Sequence, residues 1–324
     1  MKKRILRFAA LMAVVFSLIS CVETKGAAKN REQPAVRTAK ARGKQSDEVK
    51  LTHKLIQKGQ AGSDEVTLSF GVTGDVHGRL YAYDYAVCEP AAGAGFVKTY
   101  VLAQELRKEN PNAVLIDVGD TVQDNSAELF NDLETHPMIQ ALNYMNYDVW
   151  VLGNHEFNFE KEFLARNIRN FKGSVLSANI KNTKDGSDFV LPYQLFNIEG
   201  VRVAVVGLVP PHIPMWEASS PSHFKGLEHA RYANEVDGQN GDKTWIIEPG
   251  CYGWALAVGE IKVKKQNNTW KVVSVKAENR ETAKVVPDTV MEKEFEFVHD
   301  TSVADANEIV GKVTEDFVPR VDYI

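Results

Sequence analysis

Val149-Trp150-Val151-Leu152-Gly153-Asn154-His155-Glu156-Phe157-Asn158 is the stretch around which this chain is organised. Val149 to Leu152 are four uncharged apolar residues, the length and composition of a short buried strand. Gly153 then permits a sharp turn. Asn154, His155 and Glu156 follow at once, and Phe159 to Phe171 has a helical pattern. In an open α/β sheet the loop beyond a strand's carboxyl end is where ligands bind. An amide oxygen, an imidazole and a carboxylate on such a turn can bind a metal and transfer protons. Taken alone, the segment also fits an ordinary turn with a solvated Glu156, so its neighbours decide.

Two earlier stretches repeat the arrangement. Strand signals run from Glu65 to Val72 and end in Gly74-Asp75-Val76-His77-Gly78. Gly95 to Lys108 suits a helix that Asn110-Pro111 closes. Ala113 to Val118 is a second apolar strand, ending in Gly119-Asp120-Thr121-Val122-Gln123. Asp132 to Met145 again suits a helix, with His136-Pro137 in its first turn as helix-start residues. Three β-loop-α units in order, each with Asp, His or Asn just past the strand, predict a parallel α/β sheet with one site on its carboxyl edge. Further strands are predicted at Gly173–Ala178, Thr244–Ile247, Ala255–Val263 and Trp270–Val275. A hairpin of Tyr193–Ile198 and Val201–Val209 turns at Glu199-Gly200. Asp288 to Phe317 is helical and charged, and no internal repeat is present.

The loops carry a coherent chemistry. Asp75 and His77, two residues apart at a strand end, can turn toward one cation, and the two oxygens of Asp120 can bridge two cations. Asn154 offers a neutral oxygen, and His155 can approach a substrate. Oxygen and nitrogen donors without sulfur suit Zn, Mn or Fe. Two such ions about 3.5–4 Å apart activate water and clamp the attacking and leaving oxygens of an in-line displacement at phosphorus.

Gly74-Asp75-Val76-His77, Gly119-Asp120-Thr121-Val122-Gln123 and Gly153-Asn154-His155-Glu156 together resemble the first three motifs of the calcineurin-like metallophosphoesterases. The wording is most similar to their nucleotidase branch, which holds the 5'-nucleotidases and the 2',3'-cyclic-nucleotide 2'-phosphodiesterase/3'-nucleotidases. Val209-Pro210-Pro211-His212-Ile213 and Glu248-Pro249-Gly250-Cys251-Tyr252-Gly253 support it, and the likeness covers roughly Leu68 to Val275 with a gap. The resemblance implies an α/β/β/α sandwich and two divalent ions. By the same resemblance Asp75, His77 and Asp120 hold the first ion, and Asp120 and Asn154 contribute to the second. His155 would stabilise the transition state or assist the leaving group. Asn158 stands where the 5'-nucleotidases usually carry Asp to orient that His, and matches the cyclic phosphodiesterase/3'-nucleotidase branch.

The chain departs from the family after the third motif. The family has three further histidines, two of them in a Gly-His-x-His loop that is not found here. Gly226-Leu227-Glu228-His229 is similar to the tail of that motif, which makes His229 a first-metal ligand and leaves the second ion two side chains. His212 and His223 lack the family context. The expectation is an internal deletion near 218–232, weakened or lost turnover, and a linker helix over 281–324 leading toward a carboxyl-terminal nucleotide-binding domain that this sequence does not contain.

The ends and the bulk composition set the setting. Lys2, Lys3, Arg4 and Arg7, the apolar run Phe8 to Ile19 and Leu18-Ile19-Ser20-Cys21 are similar to a bacterial lipoprotein signal, in which Cys21 is acylated. Residues 22–63 read as a flexible tether and 64–280 as the catalytic domain. An exported chain facing the periplasm or cell exterior, with a membrane partner through its lipid anchor, follows from this reading. The net charge of -5 over 324 residues excludes only a wholesale polyanion binder, so no nucleic-acid polymer is expected, and the sequence predicts no protein partner. Cys88 and Cys251 can pair or remain free thiols, and no C-x-x-C occurs. The function expected is an exported hydrolase of nucleotide phosphoesters, of the cyclic-nucleotide phosphodiesterase/3'-nucleotidase type. Its alternatives are a 5'-nucleotidase and a non-catalytic metal- or phosphate-binding lipoprotein.

Overall fold

The computed structural model describes residues 12–15, 54–210, 212–216, 227–229, 247–309 and 311. Strands β1 (Met12–Val15) and β2 (Leu55–Lys58) come first. Then β3 (Glu65–Thr73), β4 (Val114–Asp117), β5 (Val149–Val151) and β6 (Ser174–Leu176) alternate with helices α1 (Phe96–Glu109), α2 (Pro137–Tyr144) and α3 (Lys161–Asn170). A hairpin of β7 (Tyr193–Ile198) and β8 (Val201–Val206) precedes a longer one of β9 (Ala255–Gln266) and β10 (Thr269–Glu281). Helices α4 (Thr289–Glu294) and α5 (Glu296–Ala306) follow.

The larger sheet has the order β10-β9-β3-β4-β5-β6, parallel from β3 to β6 and antiparallel at β9 and β10. The smaller has the order β1-β8-β7-β2, with β1 parallel to β8 and β2 parallel to β7. Alternation of side chains assigns each residue of the central strands to one of two cores. Leu68, Phe70 and Val72 of β3, Val114 and Ile116 of β4, and Val149 and Val151 of β5 meet Phe196, Val203 and Val205 of the smaller sheet. Leu115 and Trp150 point the other way, into the core shared with α1, α2 and α3. Central strands buried on both faces explain the unbroken apolar runs that mark them in sequence. Among the described residues the helices send their buried apolar side chains to this second core only, giving an α/β/β stack.

Several boundaries differ from the sequence reading. Helix α2 starts at Pro137, not at 132, because His136 is held extended (φ -61°, ψ 138°) ahead of the proline and serves as the N-cap. The predicted tether contributes β2, which pairs with β7 and so places ordered chain ahead of residue 64. Within the predicted export signal, Met12–Val15 pairs with β8, and the rest of residues 1–53 lies outside the described residues. The predicted long terminal helix is two helices broken at Phe295, and Met291, Phe295 and Val298 are buried in the helix-side core, so this part is packed and not a free linker. Residues 244–246 of a predicted strand and most of the predicted deletion lie outside the described residues. Both hairpins turn on pairs with positive φ, Glu199-Gly200 and Asn267-Asn268, the backbone that matches strand twist.

Candidate active site

The three motif loops meet at the carboxyl ends of β3, β4 and β5, and glycine lets them meet. A Cβ on Gly119 would collide with Gly153, and one on Gly153 with Asp120. The first loop lies along the second: the N–H groups of Asp75, His77 and Gly78 donate to the carbonyls of Gly119, Asp120 and Thr121 at 2.9, 2.9 and 3.0 Å. Asp75, His77 and Asp120 have φ of 49°, 49° and 54°. Non-glycine residues in this region carry strain of order 1–3 kcal/mol each and persist where their surroundings over-determine them, often at functional sites.

Glu156 supplies much of that constraint. Its side chain is fully buried and accepts from Gly153 N at 2.7 Å and from Asp120 N and Thr121 N at 2.9 Å each. One carboxylate thus ties the second loop to the third. His155 N adds a bond to Asp120 Oδ1 at 2.8 Å. Beneath them Asp117 is buried and accepts from Thr121 Oγ1 at 2.6 Å, Thr73 Oγ1 at 2.7 Å and Gly119 N at 3.1 Å.

The donor atoms suit a divalent cation. Potential ligand atoms of His77, Asp120 and His155 lie within 4.8 Å of one another. Asp75 Oδ1 is 3.9 Å from His77 Nε2. Asn154 is buried, and its Oδ1 is a buried oxygen with no hydrogen-bond partner, the kind of atom that needs a cation or water to be stable there. His77 Nδ1 lies 3.2 Å from Gln123 Oε1, an acceptor, so that nitrogen donates and Nε2 keeps a lone pair, the usual orientation of a ligating imidazole. Burial, then the charges of Asp120 and Glu156, push the Asp75 carboxyl up to about 7. Burial, then Glu156, pushes Asp120 up to about 8. Crowded, desolvated carboxylates of this kind hold their charge when a cation neutralises them.

His155 Nδ1 lies 2.6 Å from Asn158 Oδ1. The amide oxygen can only accept, so Nδ1 carries the proton and Nε2 is the nitrogen available for chemistry. The backbone of His229 pairs with Ile180 in a short strand, and its side chain, the predicted further ligand, lies outside the described residues, as does His223. His212 is exposed. Cys88 and Cys251 are both free thiols. Of the predicted site residues, Asp75, His77, Asp120, Asn154, His155 and Asn158 lie on these three loops, and Glu156 as the buried tie was not foreseen, for a solvated Glu is the usual case. Sequence reasoning also gave no role to Gln123 or Asp117, although Gln123 stands inside a quoted motif.

A carboxylate- and histidine-rich cluster on three loops at the carboxyl edge of a parallel sheet is the setting in which metal-dependent phosphoesterases work. The chain belongs to the calcineurin-like phosphoesterase family, whose pattern matches residues 68–295. The family is one of phosphoester hydrolases that use divalent metal ions. The chain is 32% identical over 177 residues to the trifunctional nucleotide phosphoesterase protein YfkN of Bacillus subtilis, covering 49% of this chain and 12% of that one. It is 31% identical over 174 residues to a 2',3'-cyclic-nucleotide 2'-phosphodiesterase/3'-nucleotidase of Haemophilus influenzae, covering 49% and 26%. The crystal structure of the calcineurin-like phosphoesterase YfkN of B. subtilis superposes with a TM-score of 0.64 at 22% identity, covering 75% of this chain and all of that one, a likeness of fold. The matched part spans about a quarter or less of these two curated relatives.

Proposed function

We propose that this chain hydrolyses 2',3'-cyclic nucleotides and 3'-nucleotides. The observation that carries the reading is the His77–Asp120–His155 cluster, with the unpartnered Asn154 Oδ1 beside it and Asn158 on His155 Nδ1. The names of the similar proteins from B. subtilis and H. influenzae point to nucleotide phosphoesters. Asn158 favours the cyclic and 3' substrates by its likeness to that branch.

Asp75, His77 and Asp120 would hold a first divalent ion, with His229 as a further ligand, and Asp120 and Asn154 would contribute to a second. Ions there supply electrostatic activation of the attacking water and of the phosphoryl oxygens. Asn158 fixes the His155 ring through Nδ1, so that Nε2, when protonated, gives its proton to the departing ribose oxygen. Glu156 keeps the second and third loops in register. The family resemblance leaves two side chains, Asp120 and Asn154, for the second ion, and on that basis turnover is weak and one ion binds tightly.

The test is hydrolysis of 2',3'-cyclic AMP, 3'-AMP and 5'-AMP with added Mn²⁺, alongside a metal count on the purified protein. Cyclic and 3' substrates lead, with one tight ion per chain. Preference for 5'-AMP sinks the substrate assignment, and two tight ions sink the incomplete second site. The residues around Cys21 support export and lipid anchoring, and Cys21→Ala is expected to move the protein from the membrane fraction to the soluble one.

A further inference from the structure

Beside the metal loops stands an aromatic pair that the chemistry above does not use. Tyr252 has φ of 59°, between Gly250 at 72° and Gly253 at 73°. A bulky residue in this region is an outlier that the surroundings must enforce. Here the enforcement is visible: Tyr252 N donates to Asp75 O at 2.7 Å, and Gly95 N donates to Tyr252 O at 3.0 Å. The ring stands edge-on to His77 with centroids 5.7 Å apart. The Arg79 guanidinium lies 4.3 Å from its centroid, and Arg79 is itself buried and paired with Asp84 at 3.0 Å.

Trp254 packs edge-on against Tyr252 at 5.6 Å. Its backbone is fixed, with N donating to Cys251 O at 3.0 Å and O accepting from Thr282 N at 2.9 Å. Its side chain, at 51% exposure, is half in solvent. The indole is thus mounted on a backbone hydrogen-bonded on both sides, two ring-to-ring steps from the His77 imidazole.

We infer that Trp254, braced by Tyr252, is the platform on which the nucleobase of the substrate stacks. The inference rests on the nucleotide reading of the site. With the phosphate at the His77–Asp120–His155 cluster, a ribose spans the 5.7 Å step from the His77 ring to the Tyr252 ring, which sets the base against Trp254, a further 5.6 Å on. Stacking on an aromatic face is tolerant of base identity, because every base presents a π-face. The platform therefore selects nucleosides over bare sugar phosphates without choosing between adenine and uracil by hydrogen bonding.

The apparent affinity (KM) of the Mn²⁺-loaded full chain for 3'-AMP and for ribose 3-phosphate as substrates tests this. Trp254→Ala weakens 3'-AMP binding about five- to a hundredfold, the worth of one base–aromatic stack. The same substitution leaves ribose 3-phosphate binding unchanged, and Trp254→Phe restores much of the loss. Equal 3'-AMP affinity in wild type and Trp254→Ala overturns the platform and leaves the phosphoesterase reading standing. Equal losses for both ligands also overturn it, by showing a general disturbance of the site. A wild type that takes neither ligand removes the nucleotide reading and the platform with it.

Discussion

Glu156 shows how much one side chain can decide. Its two oxygens serve three backbone N–H groups from two loops, in a fully buried position. Glu156→Gln puts an amide NH₂ against donors and leaves at least one buried N–H unmet, a loss of about 1–3 kcal/mol. We expect Mn²⁺ affinity to fall at least tenfold, because Asp120 and Asn154 are carried on the loops it ties. Glu156→Asp, too short to span both loops, is expected to fall short of wild type as well. Titration calorimetry beside a thermal melt decides: unchanged affinity in a folded Glu156→Gln protein would refute this role. The burial of this carboxylate was not legible in sequence, for two of its three partners, Asp120 N and Thr121 N, come from a loop some 35 residues upstream, and local pattern offers only the turn that contains it.

At the scale of elements, the β-loop-α rhythm was legible because central strands buried on both faces leave unbroken apolar runs, as Val149 to Leu152 shows. Strand β2 was not, since Leu-Ile-Gln-Lys sits in a polar stretch and becomes a strand only by pairing with β7. The start of α2 carries a pH prediction. His136 is buried, its Nδ1 accepts from Met138 N at 3.3 Å, and its Nε2 is 3.0 Å from Ala127 O, so the ring is neutral. Burial lowers its pKa from 6.5 to about 4. A depressed folded value means that its contribution is present above about pH 6.5 and is lost as pH falls toward 4. His136→Asn keeps an N-cap acceptor and removes the titration. Its urea-denaturation stability should therefore change less than that of wild type between pH 6.5 and 4, and parallel curves would contradict the assignment.

For the molecule as a whole, the cation is expected to be part of the fold. Asp75 and Asp120 are raised to about 7 and about 8 in the metal-free protein. Raised folded values mean that their contribution is complete below about pH 4 and is lost as pH rises through 7 to 8. Thermal melts in chelator should therefore decline across that window. With Mn²⁺ present the decline should vanish, and a hundredfold excess over Kd should add about 2.7 kcal/mol. Identical melts with and without metal at pH 8 would show that no cation binds the native site.

The strained, mutually repelling loop tips at Asp75 and Asp120 set thermal robustness against activity. Asp120→Asn removes a buried carboxyl that is charged above about pH 8, keeps an oxygen for His155 N, and is expected to raise the melting temperature in chelator at about pH 9 by a few degrees while abolishing tight Mn²⁺ binding. A screen of variants for heat resistance alone would then favour changes at Asp120 early, and the most durable descendants of this chain would be those that had given up the cation.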